Sequence, residues 1–208
     1  MLTSMAPSLI AKLAEKEQRQ LLDDLNYLNL AEIKSFCARH SIPYRIALET
    51  EDGGRKVTRE DDRKGVILHR VRHFLQTGVI LEETRFPSTV VCFEPLAGNI
   101  TADDRLHYGQ YDKSNRAMIT LLKELTGGKF KNGAIARILA REFWSSGKAP
   151  TFREYASAWL HASREHVRPN PEWAFLSDKA GKKAVSDWKK LRADKAAKVI
   201  EQLDRIRT

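Results

Sequence analysis

Seven basic side chains, Arg55, Lys56, Arg59, Arg63, Lys64, Arg70 and Arg72, crowd into one stretch of this 208-residue chain. Guanidinium and ammonium groups at that density suit the neutralisation of a polyphosphate backbone, which releases counterions and does not depend on base sequence. Lys189 and Lys190 add a second basic point near the C-terminus, where Lys179, Lys182, Lys183, Arg192, Lys195, Lys198, Arg205 and Arg207 outnumber the acidic residues around them. Over the whole chain 36 Lys and Arg stand against 27 Asp and Glu, a formal net charge of +9, so the summed field attracts polyanions. The plainer reading of the same residues is a solvated helix face, because Glu60, Asp61 and Asp62 interrupt the first basic run.

Other chemistries find less to work with. His69 and His73 lie four residues apart, but no third ligand is visible and the flanking arginines repel a cation, so no metal is expected. Arg116 and His107, with Tyr108 or Tyr111 nearby, are the one grouping that suits an enzyme pocket, and nothing in their spacing fixes a geometry. There is no phosphate-binding Walker loop, no Gly-x-Ser-x-Gly elbow, no zinc-protease motif and no paired-carboxylate cluster. The expectation is a non-enzyme without a cofactor. Trp144, Trp159, Trp173 and Trp188 offer stacking surfaces, yet their helical spacing beside Ala and Leu reads more simply as core. Cys37 and Cys92 are too few and too far apart for a disulfide framework, which fits a reducing compartment. The N-terminal stretch is broken by Lys12, Glu15, Lys16, Glu17 and Arg19, and no later run reaches the roughly 20 apolar residues of a membrane span. A soluble cytoplasmic protein is expected.

Periodicity indicates the elements that must position the basic groups. Leu9, Leu13, Leu21, Leu22 and Leu25 give a loose helical stripe. Asn29 with Glu32 forms a capping box ahead of Leu30, Ile33, Phe36 and Cys37, and His40 to Pro43 stop that helix. Between Tyr44 and Lys56 the pattern fails, and Glu49, Glu51, Asp52, Gly53 and Gly54 read as a flexible connection. Thr58 and Asp61 resemble a second cap, before a helix with Ile67, Leu68, Val71, Phe74 and Leu75 on its apolar stripe and Gly78 as its stop. Lys64 and Arg70 are expected off that stripe, in solvent. Residues 79–100, with Pro87, Pro95, Gly98 and the β-like run Thr89 to Phe93, suit a linker carrying a short strand. Beyond it, helices are predicted around Met118 to Leu125, capped by Ser114, around Ile135 to Phe143, after the capping box Thr151 to Glu154, and through Trp188 and Val199 to Ile206.

Two short amphipathic helices around a turn, with Lys64, Ile67 and Arg70 spaced along the second and Leu30, Ile33, Phe36 and Ile42 along the first, resemble a SAP motif. That resemblance implies nucleic-acid binding by the second helix. A broader resemblance rests on Phe36 to Pro43, Phe74 to Gly78, Ile100-Thr101, Asn115-Arg116, Gly128 to Lys131, and Thr151 to Ala156 with Trp159. It is to a bacterial family in which a SAP-like module precedes a small helical domain of unassigned activity. The chain departs from both patterns between Tyr44 and Arg63, where an acidic, Gly-containing insertion replaces a tight turn.

The expected fold is therefore mainly α, with a SAP-like helix-turn-helix module, a small C-terminal helical domain and at most a short strand between them. The expected division is 1–82, a linker at 83–100, and 101–208. The expected function is non-catalytic binding of nucleic acid, duplex DNA with weak sequence preference, through Arg55, Lys56, Arg59, Arg63, Lys64, Arg70, Arg72, Lys189 and Lys190. A protein partner for the C-terminal domain fits the same composition. The alternative is a protein-interaction or scaffold module whose basic face is incidental.

Overall fold

The computed structural model describes residues 8–96, 98–165 and 182–206. Among them lie seven α-helices and three strands. In chain order these are α1 (Glu15–Asp24), α2 (Leu30–Arg39), β1 (Arg45–Glu49), β2 (Arg55–Asp61), α3 (Lys64–Thr77), β3 (Arg85–Phe86), α4 (Arg116–Leu125), α5 (Ala134–Ser145), α6 (Phe152–Glu165) and α7 (Lys182–Ile206). They sort into two compact units, each discontinuous in sequence: Met1–Tyr44, Asp61–Glu83 and Pro171–Thr208 make the first, and Arg45–Glu60 and Thr84–Asn170 the second.

The first unit is helical because its apolar residues recur at helical spacing on α1, α2, α3 and α7. Leu21, Ile33, Phe36, Cys37, Ile67, Leu68, Val71, Leu75, Ala196, Val199 and Leu203 bury in one core. At the start of α2 the Asn29 side chain accepts from the Glu32 N–H while Glu32 accepts from the Asn29 N–H, the reciprocal cap its residue types predict. Gly78 ends α3 in the left-handed region, at φ 69°, and returns its N–H to the Phe74 carbonyl. The last helix belongs here too: Lys195 pairs with Asp24 at 2.8 Å, Arg192 donates to the Tyr27 carbonyl and pairs with Glu32, and Trp188 stacks on Tyr27.

The second unit packs α4, α5 and α6 with a three-stranded mixed sheet in the order β2-β1-β3. β1 runs parallel to β3, pairing Ala47 with Arg85 and Leu48 with Phe86. Ile46, Leu48 and Phe86 turn inward to Leu106, Met118, Leu122, Trp144, Phe152 and Tyr155. Two buried polar atoms of this core find partners, Trp144 donating its indole N–H to the Leu106 carbonyl and Tyr155 its hydroxyl to the Ala136 carbonyl, whereas the buried Trp159 indole N–H has no hydrogen-bond acceptor among the described residues. The Thr151 and Glu154 box opens α6 as read from sequence, with bonds of 3.1 and 2.9 Å in the two directions.

The mainly helical expectation with at most a short strand is corrected by this sheet, and the correction falls on the insertion. Its residues form a hairpin. Gly53, at φ 76°, bonds the Thr50 carbonyl, Thr50 donates back to Gly54, and the Asp52 carboxylate accepts from both the Thr50 hydroxyl and the Gly54 N–H. Asp-Gly between two extended runs is a hairpin signal. It is hard to read here because β2 is polar on both faces and lacks the apolar alternation of a half-buried strand. Thr58 and Asp61, read as a helix cap, lie within β2, and α3 begins instead from Arg63, whose N–H is taken by Asp62. Asn115, one residue beyond the expected Ser114, caps α4. Residues 83–100 contribute β3 and the buried Phe86 and Val90 to the second unit, while within the run Thr89 to Phe93 only Val91 makes a bridge, to Tyr108.

Candidate nucleic-acid interface

The basic residues of α3 are occupied by their own unit. Arg70 is 4% exposed and joins three segments: it bonds Asp62 at 3.0 Å, the Glu82 carbonyl at 2.8 Å and the Pro43 carbonyl at 3.3 Å. It sits three residues after Ile67 and one before Val71, on the buried side of the helix, contrary to the solvent position expected of it. Lys64, half-buried, donates to the Asn26 carbonyl at 2.6 Å. Arg72 donates to the Leu22 carbonyl and to Asn26 Oδ1, and Arg63, half-buried, caps the helix. The Lys64, Arg70 and Arg72 side chains tie α3 to other segments of the unit, so their charge is directed inward, a tertiary outcome that residue counting cannot distinguish from a phosphate-facing helix.

The hairpin residues lie on the sheet. Arg55, Lys56 and Arg59 are all exposed on the edge strand β2. Alternation places Arg55, Val57 and Arg59 on one side of the strand and Lys56, Thr58 and Glu60 on the other. Glu60 meets the Tyr108 hydroxyl at 3.2 Å, and that ring packs on Phe86, so Glu60 is on the side of β2 that faces the second unit's core. The first set then shares the outer face with Arg45 and Glu49 of β1 and with Arg85, which is paired with Ala47. Arg45 and Arg85 are exposed. The outer face of the sheet therefore collects Arg45, Arg55, Arg59 and Arg85 against one acid, Glu49. Sequence reading missed Arg45 and Arg85. The signal was present in the alternation Arg45-Ile46-Ala47-Leu48-Glu49 and in Arg85 directly before Phe86.

Lys189 and Lys190 are exposed on α7, in the first unit. Of the other lysines there, Lys195 is held by Asp24, whose carboxylate raises its pKa. Lys179 and Trp173 lie outside the described residues. Arg116 opens α4 in solvent, and His107 is engaged by Gln110 at 3.2 Å. Tyr108 is pushed up to about 12 by burial and by the neighbouring Glu60 carboxylate, so it stays a hydroxyl donor at neutral pH. Glu60 in turn pairs with Arg141 at 3.1 Å. Among the described residues no group of three or more His, Cys, Asp or Glu side chains could hold a metal ion, and no helix is long and apolar enough to cross a membrane.

No protein-family model, no curated protein and no solved structure matches the chain.

Proposed function

We propose that this protein binds nucleic acid without catalysing a reaction on it, and that its principal contact surface is the arginine face of the three-stranded sheet. The observation that carries the reading is the set of exposed arginines on the three adjoining strands, Arg45 and Arg85 on one face by register and Arg55 and Arg59 on the neighbouring β2, within a chain of net charge +9. Guanidinium groups in that arrangement match phosphate oxygens bidentately and give affinity without base readout. This moves the contact from the SAP-like helix, where Arg70 and Lys64 are engaged within the fold.

The test is a salt titration of binding to labelled duplex DNA by fluorescence anisotropy. Each phosphate neutralised on a duplex adds about 0.9 to the magnitude of the log–log salt slope. Replacing Arg55 and Arg59 together by Ala is expected to lower the slope by about two units and to leave the melting temperature unchanged, because both side chains are exposed. A double variant with wild-type affinity and slope would remove the sheet face from the account. Wild-type protein that binds no nucleic acid at low salt would leave the protein-interaction reading, which the exposed neighbours Val79 and Ile80 favour, at 48% and 42%.

A further inference from the structure

Asp61 and Asp62 interrupt the basic run along the sequence, and in the fold each meets a cation of a different helix. Lys34 of α2 pairs with Asp61 at 2.7 Å and lies 5.5 Å from the centre of the Tyr44 ring. Arg70 of α3 pairs with Asp62 at 3.0 Å, and the other Asp62 oxygen accepts the Arg63 N–H at 2.8 Å. The Asp62 N–H in turn donates to the Tyr44 carbonyl at 2.8 Å, which closes the base of the hairpin. Arg70 holds more than that base. Its Nη1 also donates to the Pro43 carbonyl, and its Nε to the Glu82 carbonyl. Pro43 lies two residues before β1, Asp62 one residue after β2 and Glu82 three residues before β3. One guanidinium thus bonds the entry to β1, the exit from β2 and the approach to β3.

A position that needed only bulk could carry an apolar side chain, since a buried ion pair adds little net stability over a well-packed hydrophobic replacement. What an apolar side chain cannot do is fix three backbone segments at once. The guanidinium presents five N–H donors in a rigid fork, so acceptors arriving from different directions are held in one geometry. Asp62 and Arg70 are 5% and 4% exposed, and water competes little for these bonds. All the bonded atoms belong to the first unit, whereas the strands they lead into belong, but for the last residue of β2, to the second. We propose that Arg70 is a conformational clasp: by anchoring the segments that lead into β1 and β3 and out of β2, it makes order in the sheet depend on the fold of the first unit. Fixing both ends of the hairpin and the approach to β3 lowers the entropy loss that strand pairing must offset. The sheet has little else to offset it, because β2 is largely exposed and β3 spans only two residues. The clasp goes beyond the phosphate-binding reading and does not depend on it, yet it governs the surface that reading uses.

The experiment is amide hydrogen exchange on the full chain, comparing wild type with the paired variant Asp62→Leu and Arg70→Met, which removes the three bonds without leaving a buried charge. Protection in β1 and β2 is expected to fall by about tenfold or more, while α2, α3, α4, α5 and α6 stay within about twofold of wild type. Sheet protection equal to that of wild type in the paired variant overturns the clasp. So does a loss spread evenly over the helices of both units, which marks a residue that only stabilises the fold. Wild type alone supplies a second measurement, exchange at increasing urea below the unfolding transition. Amides of β1 and β2 are expected to open together with those of α2 and α3; sheet amides that open well before those helices, or outlast them, overturn the clasp without any variant. Duplex titration of the wild type tests the phosphate surface separately. Protein that binds no nucleic acid removes that surface, while the exchange result decides the clasp on its own.

Discussion

Arg70 shows how a residue suited to phosphate binding becomes part of the architecture. Its spacing after Ile67 places it over the core, where an unpaired guanidinium would be prohibitive, and Asp62 with two backbone carbonyls satisfies it. Breaking such a buried pair by removing one partner leaves the other charge uncompensated. We expect Arg70→Ala or Asp62→Ala alone to lower the unfolding free energy by about 3–5 kcal/mol, whereas Asp62→Leu combined with Arg70→Met recovers most of the loss. Urea unfolding at neutral pH checks this, and a single variant as stable as wild type would mean that Arg70 is dispensable to the fold. Cys37 sits in the same core, where burial pushes its thiol up to about 12, so it remains protonated and inert at neutral pH.

At the scale of elements, the two capping boxes are formed as their local sequences require, and one of them supplies a pH dependence. The Glu154 carboxylate is held below its ordinary pKa, first by the Thr151 N–H and then by Lys148. A group whose folded pKa is depressed contributes stability above its unfolded value, near 4.3, and that contribution is lost as pH falls through the folded value. Asp104, held down by the Thr101 N–H, titrates in the same sense. Thermal melting followed from neutral to acid pH should therefore fall less steeply in Glu154→Gln, which keeps a hydrogen-bond acceptor but cannot be protonated in this range. Parallel curves for the two proteins would show that the box carries no linked proton. The hairpin illustrates the opposite situation, since β2 owes its extended form to pairing with β1 and not to any pattern of its own.

Over the whole molecule, the two cores are separate sets of residues, and the C-terminal helix completes the first. Ala196, Val199 and Leu203 are all buried against residues from the N-terminal third of the chain and α3. Leu203→Ala should lower stability by about 2–5 kcal/mol through the cavity it leaves. Amide hydrogen exchange should localise the effect, with protection falling in α2 and α3 while α4, α5 and α6 keep theirs. Loss of protection confined to the second unit would contradict the assignment of α7.

The chain's own pattern determined what is local: the Asn29 and Thr151 capping boxes, the Gly78 stop, the apolar faces of α2 and α3, and a composition that favours anionic partners. Those features depend on residues a few positions apart, so their interactions can be read along the chain. Tertiary structure decided the rest. Arg45, Arg55, Arg59 and Arg85 lie on adjoining strands only because β1 is flanked by β2 and β3, and one of those neighbours comes from a segment that reads as a linker. Arg70 and Lys64 turn inward because Asp62, Pro43, Glu82 and Asn26 arrive from other segments to meet them. Phe93 stands out in solvent above Gly109 although it lies sixteen residues earlier in the chain. Periodicity reports which side of an element is apolar, but not which distant backbone will meet a charge or leave a ring uncovered. In this protein both the arginines gathered on the sheet and the cations engaged along α3 depend on that second kind of information.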